Sequence, residues 1–265
     1  MGNETVSFYS RRILTEQGMV EGVLQVADGK FADLIENLNP AQIAAARDFA
    51  DQRIFAGIID LHSHGYRSWS AKTIDKAEIQ GLSKILPSIG VTATLATTSG
   101  WKAHEMEMLS AIAEALDEGV MGARILGIHM EGPFFNPDKH NATPREEVIL
   151  PSVEKCEAYW QAARGKIKYM TLAPEMPGAA ETIHWLREHG IVAGAGHTLA
   201  DDEQMRQAVR DGIQVSIHTG NAMRQIDRRD IGALGAALLD PEVVCEIICD
   251  FYHLAPRMLE IMFRI

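Results

Sequence analysis

The sequence predicts an α/β protein, a (β/α)8-type TIM barrel preceded by a small N-terminal β appendage, and three observations predict it. From Arg53 onward, short apolar runs rich in β-branched residues alternate with longer amphipathic segments, the pattern of repeated βα units around a parallel sheet. Histidines and one glutamate recur directly after these runs, and a parallel barrel gathers its strand ends on one face. Residues 1–52 instead hold two β-prone stretches, Thr5 to Ile13 and Met19 to Val26, broken by Gly29 and followed by a polar, alanine-rich passage.

Barrel strands are expected at about 54–59, 91–97, 124–129, 167–173, 191–195, 213–217 and 243–249. Helices fit between them at about 75–87, 103–118, 152–163, 178–189, 201–210 and 231–239, with a last one near 255–264. Asp201-Asp202-Glu203 places carboxylates in the first turn of its helix, against the positive end of the helix dipole. A closed barrel needs about eight such units. The pattern shows seven, so the expected organisation is a β appendage at 1–52 and a barrel at 53–265 that lacks its last βα unit.

The chain has 265 residues, 46% hydrophobic and 23% charged, enough to bury a real core. No eighteen-residue apolar run occurs, and Met1-Gly2-Asn3-Glu4 opens no secretory leader, so a cytoplasmic protein is expected. The net charge of −11 with scattered basic residues argues against nucleic acid or an anionic membrane as partner. Cys156, Cys245 and Cys249 are odd in number and lack Cys-x-x-Cys spacing, which disfavours a disulfide framework or a thiolate zinc site. Neither a phosphate-binding Gly-x-x-x-x-Gly-Lys-Ser/Thr nor a Gly-x-Gly-x-x-Gly is present, which disfavours kinases and dehydrogenases.

The chemistry concentrates at the strand ends. Asp60-Leu61-His62-Ser63-His64-Gly65 follows the first barrel strand, and residues two apart in extended backbone face the same way, so His62 and His64 can ligate one metal. Glu131 follows the third strand, His197 the fifth and His218 the sixth. Imidazoles with one carboxylate suit zinc or ferrous iron and disfavour magnesium or calcium, and the carboxylate could bridge two ions. A divalent ion there would polarise a carbonyl and lower the pKa of a bound water toward ~7.

His129-Met130-Glu131-Gly132-Pro133-Phe134-Phe135, Gly194-Ala195-Gly196-His197-Thr198, His218-Thr219-Gly220-Asn221-Ala222-Met223 and Asp250-Phe251-Tyr252-His253 resemble, in this order, the motifs of N-acetylglucosamine-6-phosphate deacetylases of the amidohydrolase superfamily. The resemblance implies that Glu131, His197 and His218 are the most constant metal ligands, with His62 and His64 able to hold a second ion. It implies an amino-sugar phosphate substrate contacted by Asn221 and the backbone of Ala222, and His253 as the catalytic group near the acetamido carbonyl. Arg229, with Arg228 beside it, falls where the family reaches the neighbouring subunit's phosphate, which implies a homodimer. The family's general base, an aspartate on the eighth strand, would lie beyond residue 265.

Two loops depart from the family pattern: Tyr66-Arg67-Ser68-Trp69-Ser70 after His64, and Asn141-Ala142-Thr143, whose Ala142 would border the substrate. They leave open another acetamido sugar or a cyclic amide as substrate. A non-catalytic metal- and ligand-binding remnant is the rival reading from another class.

Overall fold

The computed structural model describes residues 5–100 and 102–265, so the reading of Met1–Glu4 as free of a leader lies outside the described residues. Contacts divide the chain into one unit ending at Ile58 and a second from Ile59 to Ile265.

In the first unit, β1 (Thr5–Thr15) and β2 (Gly18–Ala27) form an antiparallel hairpin, and β3 (Lys30–Ile35) continues it alongside β2. Helix α1 (Pro40–Ala45) starts on a capping box: Asn39 Oδ1 accepts from the Gln42 N–H at 3.0 Å, and Gln42 Oε1 accepts from the Asn39 N–H at 2.9 Å. β4 (Arg47–Asp48) and β5 (Arg53–Ile54) both run parallel to β1. The latter corrects an expectation, because residues read as the start of the first barrel strand pair with β1 instead. The run from Ile54 to Ile59 is apolar throughout, and the break at residues 55–57 leaves no mark in composition.

The second unit begins within β6 (Ile58–Ser63), which is followed by a short hairpin of β7 (Gly65–Tyr66) and β8 (Trp69–Ser70) and by α2 (Lys76–Ile85). Strand and helix then alternate: β9 (Val91–Ser99), α3 (Glu105–Glu118), β10 (Arg124–Glu131), α4 (Val153–Ala162), β11 (Ile167–Leu172), α5 (Ala179–Glu188), β12 (Val192–Ala195) and α6 (Asp202–Asp211). β13 (Ile213–Ser216), α7 (Gly232–Leu239), β14 (Val244–Cys245) and α8 (Pro256–Met262) complete the series. The sheet order is β6-β9-β10-β11-β12-β13-β14, with parallel pairing at every step from β9 to β14. This is the curled parallel sheet of a (β/α)8-type fold, and its strands all deliver their C-terminal ends to one face.

Burial drives the alternation. Ile79 and Leu82 of α2, Leu109 and Ile112 of α3, and Ile128 and Met170 of the strands are all less than 2% exposed, and they belong to one contiguous core cluster. In the second unit, side-chain caps start three of the described helices: Asp75 for α2, Ser152 for α4 and Asp201 for α6. Asp201 is thus the cap itself, while Asp202 and Glu203 are the acids of the first turn.

β14 is much shorter than the expected 243–249. The chain instead turns, and Asp250 Oδ1 accepts from the N–H groups of Tyr252 and His253 at 2.8 and 2.9 Å. Phe251 sits in this turn at φ +61° with 69% of its surface exposed. The left-handed region costs a bulky residue roughly 1–2 kcal/mol. Phe251→Gly is therefore expected to raise stability by about 1 kcal/mol, read from urea unfolding; an unchanged or lowered midpoint would show that the turn imposes no such strain.

Candidate metal centre

Five side chains from four strand ends converge. Glu131 is the last residue of β10, His62 lies in β6 with His64 just beyond it, and His197 and His218 each stand two residues past β12 and β13. Glu131 Oε1 lies 3.2 Å from His197 Nε2, 3.2 Å from His218 Nε2 and 3.4 Å from His62 Nε2, while Oε2 lies 3.0 Å from His64 Nε2. Every expected ligand is thus brought together around one carboxylate. Glu131 and His197 are buried, His62 and His218 are partly covered, and His64 is the exposed member.

The backbone is bent to achieve this. His197 has φ +49° and His218 φ +28°, and Ala222 of the following loop has φ +49°. Such conformations are uncommon outside glycine and cluster where a function holds them. The His197 ring stacks on Phe135 at 4.0 Å between centroids. Phe135 in turn needs Gly132, where a Cβ would come within 2.5 Å of its ring.

Outer contacts set which nitrogen faces inward. His64 Nδ1 lies 3.1 Å from the Thr97 carbonyl, His197 Nδ1 lies 2.7 Å from the Lys139 carbonyl, and His62 Nδ1 lies 3.1 Å from Glu246 Oε2. A carbonyl accepts only, so His64 and His197 each keep a proton on Nδ1, and Nε2 donates to Glu131 when the ring is charged and offers a lone pair to a cation when it is neutral. Burial alone would raise the Glu131 pKa, but hydrogen bonds from His197, His218, His62 and His64 hold it far below the ordinary carboxylate range. Burial likewise works against a charged His62, yet Glu131 and Glu246 raise its pKa to about 9.

The donor set fits a divalent cation. His197 Nε2 and His218 Nε2 are 3.2 Å apart, and two ligand atoms about 2.0–2.1 Å from a tetrahedral zinc are about 3.3 Å apart. A cation between the two nitrogens would accept a lone pair from each. Two overlapping groups could each hold an ion, His62/His64/Glu131 and Glu131/His197/His218, with Glu131 common to both.

A family model described as the amidohydrolase family matches residues 53–264. The chain belongs to that family. It is 31% identical to the N-acetylglucosamine-6-phosphate deacetylase of Vibrio furnissii, over 97% of this chain and 65% of the relative. It is 32% identical to the enzyme of the same name from Bacillus subtilis (strain 168), over 95% of this chain and 65% of the relative. This amidohydrolase chain therefore spans 65% of the length of these curated relatives. A solved structure of a mutant N-acetyl-D-glucosamine-6-phosphate deacetylase from Mycobacterium smegmatis, in complex with N-acetyl-D-glucosamine-6-phosphate, aligns with a TM-score of 0.89. The identity is 27%, over 98% of this chain and 68% of that one.

The remaining expected site residues of the amidohydrolase chain lie in loops at the same strand ends. Asn221 Nδ2 donates to the His218 carbonyl at 3.2 Å, and the Ala222 carbonyl accepts from the Thr198 N–H at 3.0 Å. His253 is half exposed; its backbone N–H first, then its Nδ1 at 2.7 Å from Asp250 Oδ2 and the Tyr252 N–H, draw the Asp250 pKa down to about 2. No hydrogen bond joins His253 to the five converging side chains among the described residues. Arg229 and Ala142 are exposed and likewise stand apart from them. Glu246 and Phe135 were not expected at the site. The available signal for Glu246 was a lone carboxylate inside the apolar run Val243-Val244-Cys245-Glu246-Ile247-Ile248.

No helix among the described residues is long and apolar enough to cross a membrane.

Proposed function

We propose that this amidohydrolase hydrolyses the acetamide of an N-acetylated amino-sugar phosphate, with N-acetylglucosamine 6-phosphate as preferred substrate and glucosamine 6-phosphate and acetate as products. The observation that carries the reading is the convergence of four imidazoles on Glu131 at the C-terminal strand ends, and the names of the relatives support the substrate class. His62, His64, Glu131, His197 and His218 would hold one or two divalent ions, zinc or ferrous iron. Bound there, an ion supplies Lewis acidity and a water whose pKa falls toward ~7.

The chain's own groups orient the substrate. Asp250 holds Nδ1 of His253, and the ring in its doubly protonated form donates its Nε2–H to the acetamido oxygen as that oxygen gains negative charge. Asn221 and the Ala222 N–H bind the sugar phosphate, and Ala142 borders the sugar. Arg229 reaches the phosphate bound by a neighbouring copy, in a cytoplasmic homodimer.

Acetate release from N-acetylglucosamine 6-phosphate, N-acetylgalactosamine 6-phosphate and unphosphorylated N-acetylglucosamine, with metal analysis of the same sample, tests this reading. Turnover of none of them by metal-loaded protein would refute it. Arg229→Ala should lower kcat/KM for the phosphorylated sugar by about tenfold or more, the scale of one lost charge-assisted contact, and leave the unphosphorylated sugar unchanged. Equal losses on both substrates, or an active monomer, would remove Arg229 from the phosphate site.

A further inference from the structure

We propose that Glu246 is a positioning residue of the metal centre: its carboxylate on Nδ1 of His62 holds that ring with Nε2 toward Glu131, and so sets the affinity of the ion position built from His62, His64 and Glu131. This rests on the metal-centre reading above. Glu246 immediately follows β14, and its main chain is pinned on both sides. Its N–H donates to the Ser216 carbonyl at 2.9 Å, and its carbonyl accepts from the Thr219 N–H at 2.7 Å. The carboxylate is thereby fixed at the strand-end face, with its side chain 17% exposed and Oε2 3.1 Å from His62 Nδ1. His62 Nε2, on the opposite edge of the ring, faces Glu131 at 3.4 Å.

The outer partners of His64 and His197 are neutral main-chain carbonyls. A carboxylate fixes the Nδ1–H tautomer as a carbonyl does and, being charged, raises the basicity of Nε2 further, so His62 has the strongest outer contact of the three. Glu246 Oε1 is buried and, after burial itself, the carboxylate pushes the Tyr169 pKa up by charge and hydrogen bonding, so a charged group is kept in a largely covered place with its other oxygen on His62.

The test uses the full chain, zinc titration in competition with a chromophoric chelator, and ¹⁵N NMR of histidine-labelled protein. Glu246→Gln keeps the shape and removes the charge. It should weaken by ten- to hundredfold the same zinc ion that His62→Ala loses, and leave the ion of Glu131, His197 and His218 unchanged. In the His62→Ala background, Glu246→Gln should have no further effect. The NMR spectrum of the metal-loaded wild type should show His62 protonated on Nδ1. Unchanged zinc affinity in Glu246→Gln, an undiminished effect in the His62→Ala background, or a wild-type His62 protonated on Nε2 would each overturn the proposal. The last result needs no variant to fold. Wild-type protein that takes up no zinc would refute the metal-centre reading itself.

Discussion

Glu131→Gln is expected to take metal content to near zero and to lower deacetylation by at least about 10³-fold, more than loss of a single oxyanion donor. The substitution keeps the side chain's size, so the fold has little reason to respond. Its electrostatics change completely, because all four imidazoles share this carboxylate and both ion positions include it. A glutamine offers one neutral oxygen, and its NH₂ competes as a donor for the Nε2 lone pairs. His197→Ala makes the informative comparison, since it disables one group of three and leaves His62/His64/Glu131 intact. Elemental analysis should therefore rank wild type, His197→Ala and Glu131→Gln in falling order. Full metal stoichiometry in Glu131→Gln would remove the carboxylate from the ligand set.

The second large effect is a reversal of pH dependence between metal-free and zinc-loaded protein. In the metal-free chain the His62 pKa is raised from 6.5 to about 9 by Glu131 and Glu246 acting against burial. Its contribution to stability is complete below pH 6.5 and is lost as the pH rises through 9, a change of at most about 3 kcal/mol. Glu131, whose pKa is depressed, contributes above its unfolded value and loses that contribution only in strong acid, so it adds no slope in this window. Zinc requires unprotonated imidazole and binds more tightly as the pH rises, and an ion at a thousandfold excess over its Kd adds about 4 kcal/mol. Thermal scans at pH 6, 7.5 and 9, with chelator or with zinc, should show a Tm gap that widens with pH by several degrees. Parallel curves would mean that the cluster does not exchange its proton for an ion.

The cluster of four histidines and Glu131 was legible in the sequence because parallel strands read as short apolar runs, and polar residues that interrupt the run at its C-terminal end must emerge on one face. His62, His64, Glu131, His197 and His218 all obey that rule. Glu246 obeys it too, but its apolar run continues to Ile248, so the strand expected at 243–249 passes through it. The chain leaves the strand at Cys245, and only the tertiary pairing with Ser216 and Thr219 marks the place. The junction at residues 53–58 failed for the converse reason, since apolar sequence runs unbroken from a strand of the first unit into a strand of the second. Loop residues such as Arg229, Ala142 and His253 carry no periodicity, so their placement came from resemblance alone.

The positive φ angles of His197 and His218 bear on how this protein would change under selection. Asparagine accepts left-handed backbone more readily than almost any residue except glycine. At these two positions it would relax the chain and discard a proposed metal ligand in one step. A search for thermostable variants that does not assay turnover would then enrich the substitutions that silence the protein, the stability–activity trade-off in its simplest form. Conversely, histidine persisting at both positions in a heat-selected lineage would be direct evidence that the bound ion, and not the bare polypeptide, is what selection sees.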